Sequence, residues 1–397
     1  MLRIATRAPG ELRTAVYEGA QQVDGRQWSQ LAGDAEPRLD RPWFLYYRPE
    51  ADRAYVTVWR DKRLSALAPC LIWTQPEGFS SQRPMDVLLA PAHVRGPDEP
   101  GLDRSVLTRT GVGLHAFRFA PSLCVVSVGS RFARVSDLLP AGDGSAERAI
   151  EELDSLALGR GSELWAILGV AETSALLADA DRLGFIPALV TANTVLEVPP
   201  SFDEYLATLS RNRRGVVRRE LRALGERGIS VTEECDVPAI AAELNAVVAA
   251  HRAHYGWPEP YGVPIDFGRF LRLYGDEMCV MSARRNGRLL AFALAVSRGR
   301  VHTYVGYFAD HALIEPADFM FQNSFYAFVS RVAAAGGGSV QFGATNYRAK
   351  LLRGCRLERI WGLYRPLVDE LRQPLTVHIA ALNRLQAAHF GALTAFE

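Results

Sequence analysis

Apolar residues recur every third or fourth position across 201–224 and in alternation or solid runs through most other segments, so the chain reads as interleaved helices and strands. Residues 54–73 alternate around a charged turn at 61–63 and predict a β-hairpin. Residues 279–297 repeat the arrangement, with a short strand, a basic turn at Asn286 and Gly287, and a long apolar strand. Arg63, Leu64 and Ala66 match Arg288, Leu289 and Ala291 with one extra residue expected in the second turn, and the recurrence in each half predicts a duplicated unit. A strand at 163–170, a helix near 173–183 and a strand at 186–198 close the first half. Pro199 and Pro200 then mark the expected boundary between units at 1–199 and 200–397. The second half predicts strand 229–234, helices 237–254 and 266–274, the hairpin, strand 301–308, a helix over about 317–335, strand 339–342 and a strand pair around 357–364. The loop 76–113, rich in proline and glycine, reads as a surface excursion.

Segment 201–224 carries the densest pattern. It places six arginines between 211 and 222. At about 100° per residue, Arg211, Arg214, Arg218 and Arg222 form one stripe, opposite Leu206, Leu209, Val216, Val217, Leu221 and Leu224. Ser201 and Glu204 form a capping box, and Ser210 offers a second start. Gly215, near the arginine side, reads as a break or as a point where another backbone or a phosphate comes close. One face packs while the other meets a polyanion, or else the arginines are solvated and pair with local acids such as Glu220 and Glu226.

Composition narrows the setting. At 397 residues, 48% of them apolar, the chain has material for two cores. A net charge of +1 gives no overall bias toward nucleic acid or membrane, so any anion site must be local. Cys70, Cys124, Cys235, Cys279 and Cys355 are odd in number and lack C-x-x-C spacing, which argues against a disulfide framework or zinc site. A reducing, cytoplasmic setting fits. No run approaches the roughly 20 apolar residues of a membrane span, and no tightly bound cofactor or metal is expected. Oligomeric state is not legible.

The order β-α-α-β-β-β-α-β in the second half, with YVGYFADHALIEPADFMFQNSFYAF followed by VQFGATNYRAKLLRG, resembles the GNAT acyltransferase superfamily and, more closely, its Fem-type (FemAB-like) branch. The resemblance spans about 185–366. Its most specific parts are the S-x-x-x-R-x-x-x-R-R basic helix and the F-G then K-x-x-x-G element. It implies an α/β fold of two tandem GNAT-like units, each a mixed, mostly antiparallel sheet flanked by helices, with a V-shaped cleft between splayed central strands. It also implies transfer of an activated acyl group to an amine, in cell-wall or natural-product assembly. Acetyl-CoA enzymes of the superfamily carry a glycine-rich pyrophosphate loop after the fourth strand. Here residues 309–318, ADHALIEPAD, have no glycine and three acids, which would repel a coenzyme A diphosphate. Gly111 and Gly113 are a weak substitute in the first unit. The implied donor is therefore aminoacyl-tRNA as co-substrate, and the acceptor a small-molecule or peptide amine. Acyl-CoA as donor, or a non-catalytic RNA- or anion-binding protein, remain the alternatives.

Acyl transfer to an amine needs a neutral nucleophile, oxyanion stabilisation and a proton path. Alternation along VHTYVGY places His302, Tyr304 and Gly306 on one face and Thr303, Val305 and Tyr307 on the other. His302 is the candidate base and Tyr304 the donor to the oxyanion, with Tyr307 as an alternative, unless His302 is a core histidine satisfied by backbone. The resemblance assigns phosphate binding to Lys350, with Arg353 beside it, joining Arg211, Arg214, Arg218 and Arg222; a solvated basic turn is the alternative. His254, Tyr255, Trp257, Asn323 and Asn346 are candidate substrate contacts. Tyr255, Trp257 and Tyr261 could stack on a base or simply pack their loop. His251 and His254, three apart, lack an evident third metal ligand.

Overall fold

The computed structural model describes residues 11–394 apart from 34, 48–50, 75–81, 90–108, 115–116, 118–120, 128–132, 141, 256–264 and 319. Two compact units emerge. The first comprises 1–193, 344–347 and 357–397, and the second 194–343 and 348–356. The strands are β1 (Leu12–Tyr17), β2 (Asp52–Arg60), β3 (Arg63–Trp73), β4 (Ser122–Val125), β5 (Leu164–Ala171), β6 (Ile186–Val198), β7 (Ile229–Glu233), β8 (Met278–Arg285), β9 (Arg288–Arg298), β10 (Val301–Ala309), β11 (Gly338–Gly343) and β12 (Arg356–Pro366).

The units repeat one topology. In the first, β1, β2, β3 and β4 pair antiparallel in order, β4 pairs parallel with β5, and β5 pairs antiparallel with β12. In the second, β7, β8, β9 and β10 pair antiparallel, β10 pairs parallel with β11, and β11 pairs antiparallel with the end of β6. The hairpins match residue by residue. Arg63, Leu64 and Ala66 oppose Arg60, Trp59 and Val58, while Arg288, Leu289 and Ala291 oppose Arg285, Arg284 and Ala283, with the bulge at the same step. Both turns have two residues, so the extra residue expected in the second turn is not there. Asp61 at φ 55°, Asn286 at 51° and Gly287 at 78° supply the left-handed backbone such tight turns require.

The expected boundary at 199/200 is displaced. Chain passes between units inside β6, and everything after Arg356 returns to the first unit. The segment expected as a strand pair near 357–364 is one strand, β12, aligned on β5 from Ile360 to Pro366. Helix Asp369–Thr394, which the sequence reading did not anticipate, follows it. Its Phe390 packs with Leu189, Ala192 and Tyr347, and its Gln386 donates to Val190 O. A covalently contiguous stretch thus finishes the earlier core, because β5 otherwise lacks a partner on that edge.

The arginine segment is two helices. Ser201 caps Phe202–Thr208 and Ser210 caps Arg211–Glu226, each hydroxyl accepting an amide from three residues on. Leu209 between them is extended, at φ −84° and ψ 154°. Both candidate starts are used, and the break falls at Leu209, not at Gly215, where the helix continues. Packing in this unit centres on Tyr205, Leu206, Val217, Tyr304, Phe325, Phe328, Val329 and Phe342. Loop 76–113 is largely outside the described residues. Within it, Pro84–Leu89 is helical, Gly111 is buried and Gly113 is exposed.

Candidate active site

In the second unit, β10 and β11 pair only at Val301–Ser339, His302–Val340 and Thr303–Gln341. Beyond that point β10 runs to Ala309 without β11. The separation coincides with a bulge on the β9 side, where Tyr304 opposes Ala295 and Gly306 opposes Leu294. One extra residue, Val305, reverses the alternation that follows. Tyr307 opposes Ala293 and therefore shares a face with Tyr304 and His302, contrary to the strict alternation expected from the sequence. Val305, Gly306, Tyr307 and Phe308 are half-exposed although they lie on a central strand.

The three candidates on this face differ in setting. His302 is buried at the paired end of β10, with Nδ1 2.9 Å from Ser297 Oγ and with Gly338 so close that a Cβ there would come 2.9 Å from Nε2. Burial and then the cations Arg331 and Arg300 push its pKa down to about 4. Such an imidazole is a weak base, and it stands away from the open strand end. Tyr304 packs among Phe328 and Phe342 at 5.8 and 5.3 Å between ring centroids. Its hydroxyl is buried without a hydrogen-bond partner among the described residues, and burial raises its pKa well above the ordinary phenol value. Tyr307 lies against Phe321, 5.7 Å between centroids.

Arginines divide into structural and free. Arg214 folds back and donates to Leu209 O at 2.7 Å, closing the preceding helix, so it leaves the expected stripe. Arg211, Arg218, Arg219 and Arg222 are exposed, and none of them has a carboxylate partner among the described residues. The helix's own Glu220 is turned inward. It receives Arg353 Nη2 at 3.1 Å on both oxygens and the Tyr326 hydroxyl at 2.6 Å. Arg353 is thus a buried strut fastening the arginine helix to the K-x-x-x-G element, and the local pairing considered for Glu220 does not occur. Lys350 is buried too. Its ammonium donates to Phe342 O at 2.7 Å and Gly343 O at 3.2 Å, ordering the end of β11, and Thr194 Oγ1 adds a bond to Gly343 O at 2.6 Å.

In the segment after β10, two of the three acids are paired with arginines. Asp318 is buried and accepts from Arg227 and Arg285, and Glu315 also pairs with Arg227. Burial would raise the Asp318 pKa, but the Glu315 amide and the two guanidinium groups outweigh it and hold the carboxyl below its usual value. The loop's amides are occupied as well: Ala312 N–H donates to Asp310 at 3.0 Å and Glu315 N–H to Asp318 at 2.8 Å. Asn323 Nδ2 donates to Asp318 O at 3.1 Å, so it supports this loop. Asn346 is exposed at φ 49° in the short piece belonging to the first unit.

At the tip of β10 the structure gathers three histidines. Ala309 N–H donates to His251 Nδ1 at 3.2 Å, while Asp310 N–H bonds Leu290 O on the β9 side. Because successive amides of a strand point opposite ways, Ala309 N–H lies on the edge that β11 has left, and His251 covers it. His311 Nε2 is 3.2 Å from the same His251 nitrogen. His254 stacks on His311 at 3.9 Å between centroids, and Tyr255 meets it edge-on at 5.3 Å. Trp257 and Tyr261 lie outside the described residues. Among the described residues no three His, Cys, Asp or Glu side chains are set to hold a metal ion. His311 escaped the sequence reading, since it sits inside an acidic loop with no histidine nearby in the chain.

Two units of identical strand order, each with a pair of parallel central strands, define a tandem GNAT-like α/β transferase fold. Residues 197–395 match the FemAB-like family, described as peptidoglycan biosynthesis/recognition. The chain belongs to that family, and it is an acyltransferase of peptidoglycan-related synthesis. Similar solved structures include FemX, at TM-score 0.53 and 12% identity over 89% of this chain and 98% of that one. A tandem GNAT protein from the clavulanic acid biosynthesis pathway is similar at TM-score 0.47 and 11% identity over 90% and 100%. L-PGS from Bacillus licheniformis is similar at 0.46 and 13% over 77% and 99%. The FemX likeness speaks for the fold. No curated protein matches the sequence. No helix among the described residues is long and apolar enough to cross a membrane.

Proposed function

We propose that the second unit forms an amide between an aminoacyl group carried on tRNA and an amine acceptor, with tRNA approaching along the arginine helix. The observation that carries this reading is the exposed row Arg211, Arg218, Arg219 and Arg222, which lacks carboxylate partners while Glu220 is committed inward to Arg353. Guanidinium groups left unpaired on a rigid helix are suited to phosphates, and Gly215, with open space around it, lets a backbone approach between them. The occupied amides after β10 favour this donor over coenzyme A, whose diphosphate would have to displace Asp310 and Asp318. Tyr304 supplies the chemistry next to the strand opening. Its unpartnered hydroxyl costs about 1–3 kcal/mol in a buried setting, and an acyl oxygen gaining negative charge in the transition state would satisfy it.

Filter binding of total tRNA to the full chain across a salt series tests the donor, with Arg211, Arg218 and Arg222 all changed to Gln as the comparison. The triple variant should bind about tenfold or more weakly, with a log–log salt slope shallower by about 2. Unchanged affinity and slope, or product formed from acyl-CoA but not from tRNA charged with radiolabelled amino acids, would overturn the assignment.

A further inference from the structure

We infer that His311, backed by His251, is the proton acceptor for the attacking amine; this rests on the amide-forming reading above. The hydrogen bonds dictate the tautomers. A backbone N–H can only donate, so the bond from Ala309 makes His251 Nδ1 an acceptor and leaves that ring's proton on Nε2. His311 Nε2, facing the same lone pair, must then be the donor. In neutral His311 this leaves the lone pair on Nδ1. Taking a proton there does not disturb the bond to His251, because Nε2–H keeps donating, so the ring can load and unload a proton without moving.

Position supports the same role. His251 sits on the amide of β10 that β11 has abandoned, and His311 is half-exposed at the end of the half-exposed strand carrying Tyr307. The surroundings keep His311 neutral: burial and then His254 lower its pKa, opposed by Asp310. His251 is held down to about 4 by burial and then by His311, so it cannot take the proton from its partner. An ammonium acceptor gives one proton to His311 Nδ1. Its freed lone pair attacks the acyl carbon, the C–N bond forms and the C–O bond to the carrier breaks. The imidazolium releases its proton to solvent, and the second proton of the amine passes to the departing carrier oxygen.

The test measures enzyme-dependent transfer from tRNA charged with radiolabelled amino acids to two small amines. Ethanolamine is an ammonium at neutral pH, whereas aminoacetonitrile is largely unprotonated and needs no base. His311→Asn, with His311→Gln as a second variant, should lower kcat/KM for ethanolamine about 100-fold and change it for aminoacetonitrile less than about threefold, and added imidazole should restore part of the loss. An equal response of both amines, whether a fall or none, overturns the inference while leaving the donor assignment standing. Failure of the unaltered protein to transfer to either amine overturns the donor assignment, and the inference with it.

Discussion

The two units share a strand order, a bulged hairpin and a pair of parallel central strands, yet they treat the ends of those strands differently. In the first unit every residue of β4 and β5 is buried. Loop side chains close the strand ends: Ala171 N–H donates to Ser136 Oγ, Ser127 Oγ donates to Arg38 O, and Gln82 Nε2 donates to Ser127 O. In the second unit the end of β10 is half-exposed, the Tyr304 hydroxyl is unpartnered, and histidines cover the free edge. Buried polar atoms without a hydrogen-bond partner among the described residues occur in both units, at Tyr55 Oη and Ser122 Oγ in the first and Tyr304 Oη in the second, so what sets the second unit apart is the half-exposed end of β10. Buried ion pairs make the same contrast. Glu36 and Arg38 are two residues apart and join within one loop, whereas Glu220 and Arg353 connect an exposed cationic helix to the K-x-x-x-G element from opposite ends of the second unit's chain.

The largest expected effect tests those pairs. Glu36→Ala and Glu220→Ala should each destabilise by about 3–5 kcal/mol in urea titrations, since each removes the carboxylate partner of a buried guanidinium. Only Glu220→Ala should also weaken tRNA binding under conditions where both proteins remain folded. Equal binding loss in both would erase the contrast. Acid should next loosen the strands around His302 and His251. His302 and His251 have folded pKa values near 4 against an ordinary 6.5, so the unfolded state binds more protons between those values. Stability is complete above about pH 6.5 and falls as pH drops toward 4, by about 3 kcal/mol for each group. Hydrogen exchange at pH 5 should therefore expose β8–β11 before β2–β5, and His302→Gln should recover part of the protection while leaving transfer at neutral pH within a few-fold. A large loss of turnover in that variant would restore His302 to the chemistry.

Tyr304→Phe sharpens the contrast further. If the hydroxyl is reserved for substrate, the variant should be as stable as the parent or up to about 1–3 kcal/mol more stable, while transfer falls about 10- to 100-fold. Lost stability without lost transfer would make Tyr304 an ordinary core residue. The smallest effect is at Gly215, where alanine should stabilise by about 0.5–1 kcal/mol through helix propensity. Weaker tRNA binding in that variant would mark Gly215 as a place of close approach, and unchanged binding would leave it as a neutral helix position.

By itself, the sequence determined what local forces control. Period-two and period-3.6 patterns placed the hairpins, β6, β10 and β11. Two serine caps marked two helix starts, and the arginine face was legible because Val217, Leu221 and Leu224 claim the other side. The family resemblance rested on that helix and on the element around Lys350. Only the tertiary structure decided the rest, because each remaining feature depends on residues far apart in the chain. The bulge that turns Tyr307 onto the Tyr304 face is defined by the register with β9. Lys350 and Arg353 become struts because the carbonyls of β11 and the carboxylate of Glu220 arrive beside them. His311 joins His251 across a helix and a strand end, and the tail after Arg356 leaves its neighbours for the first unit because β5 has an open edge to fill.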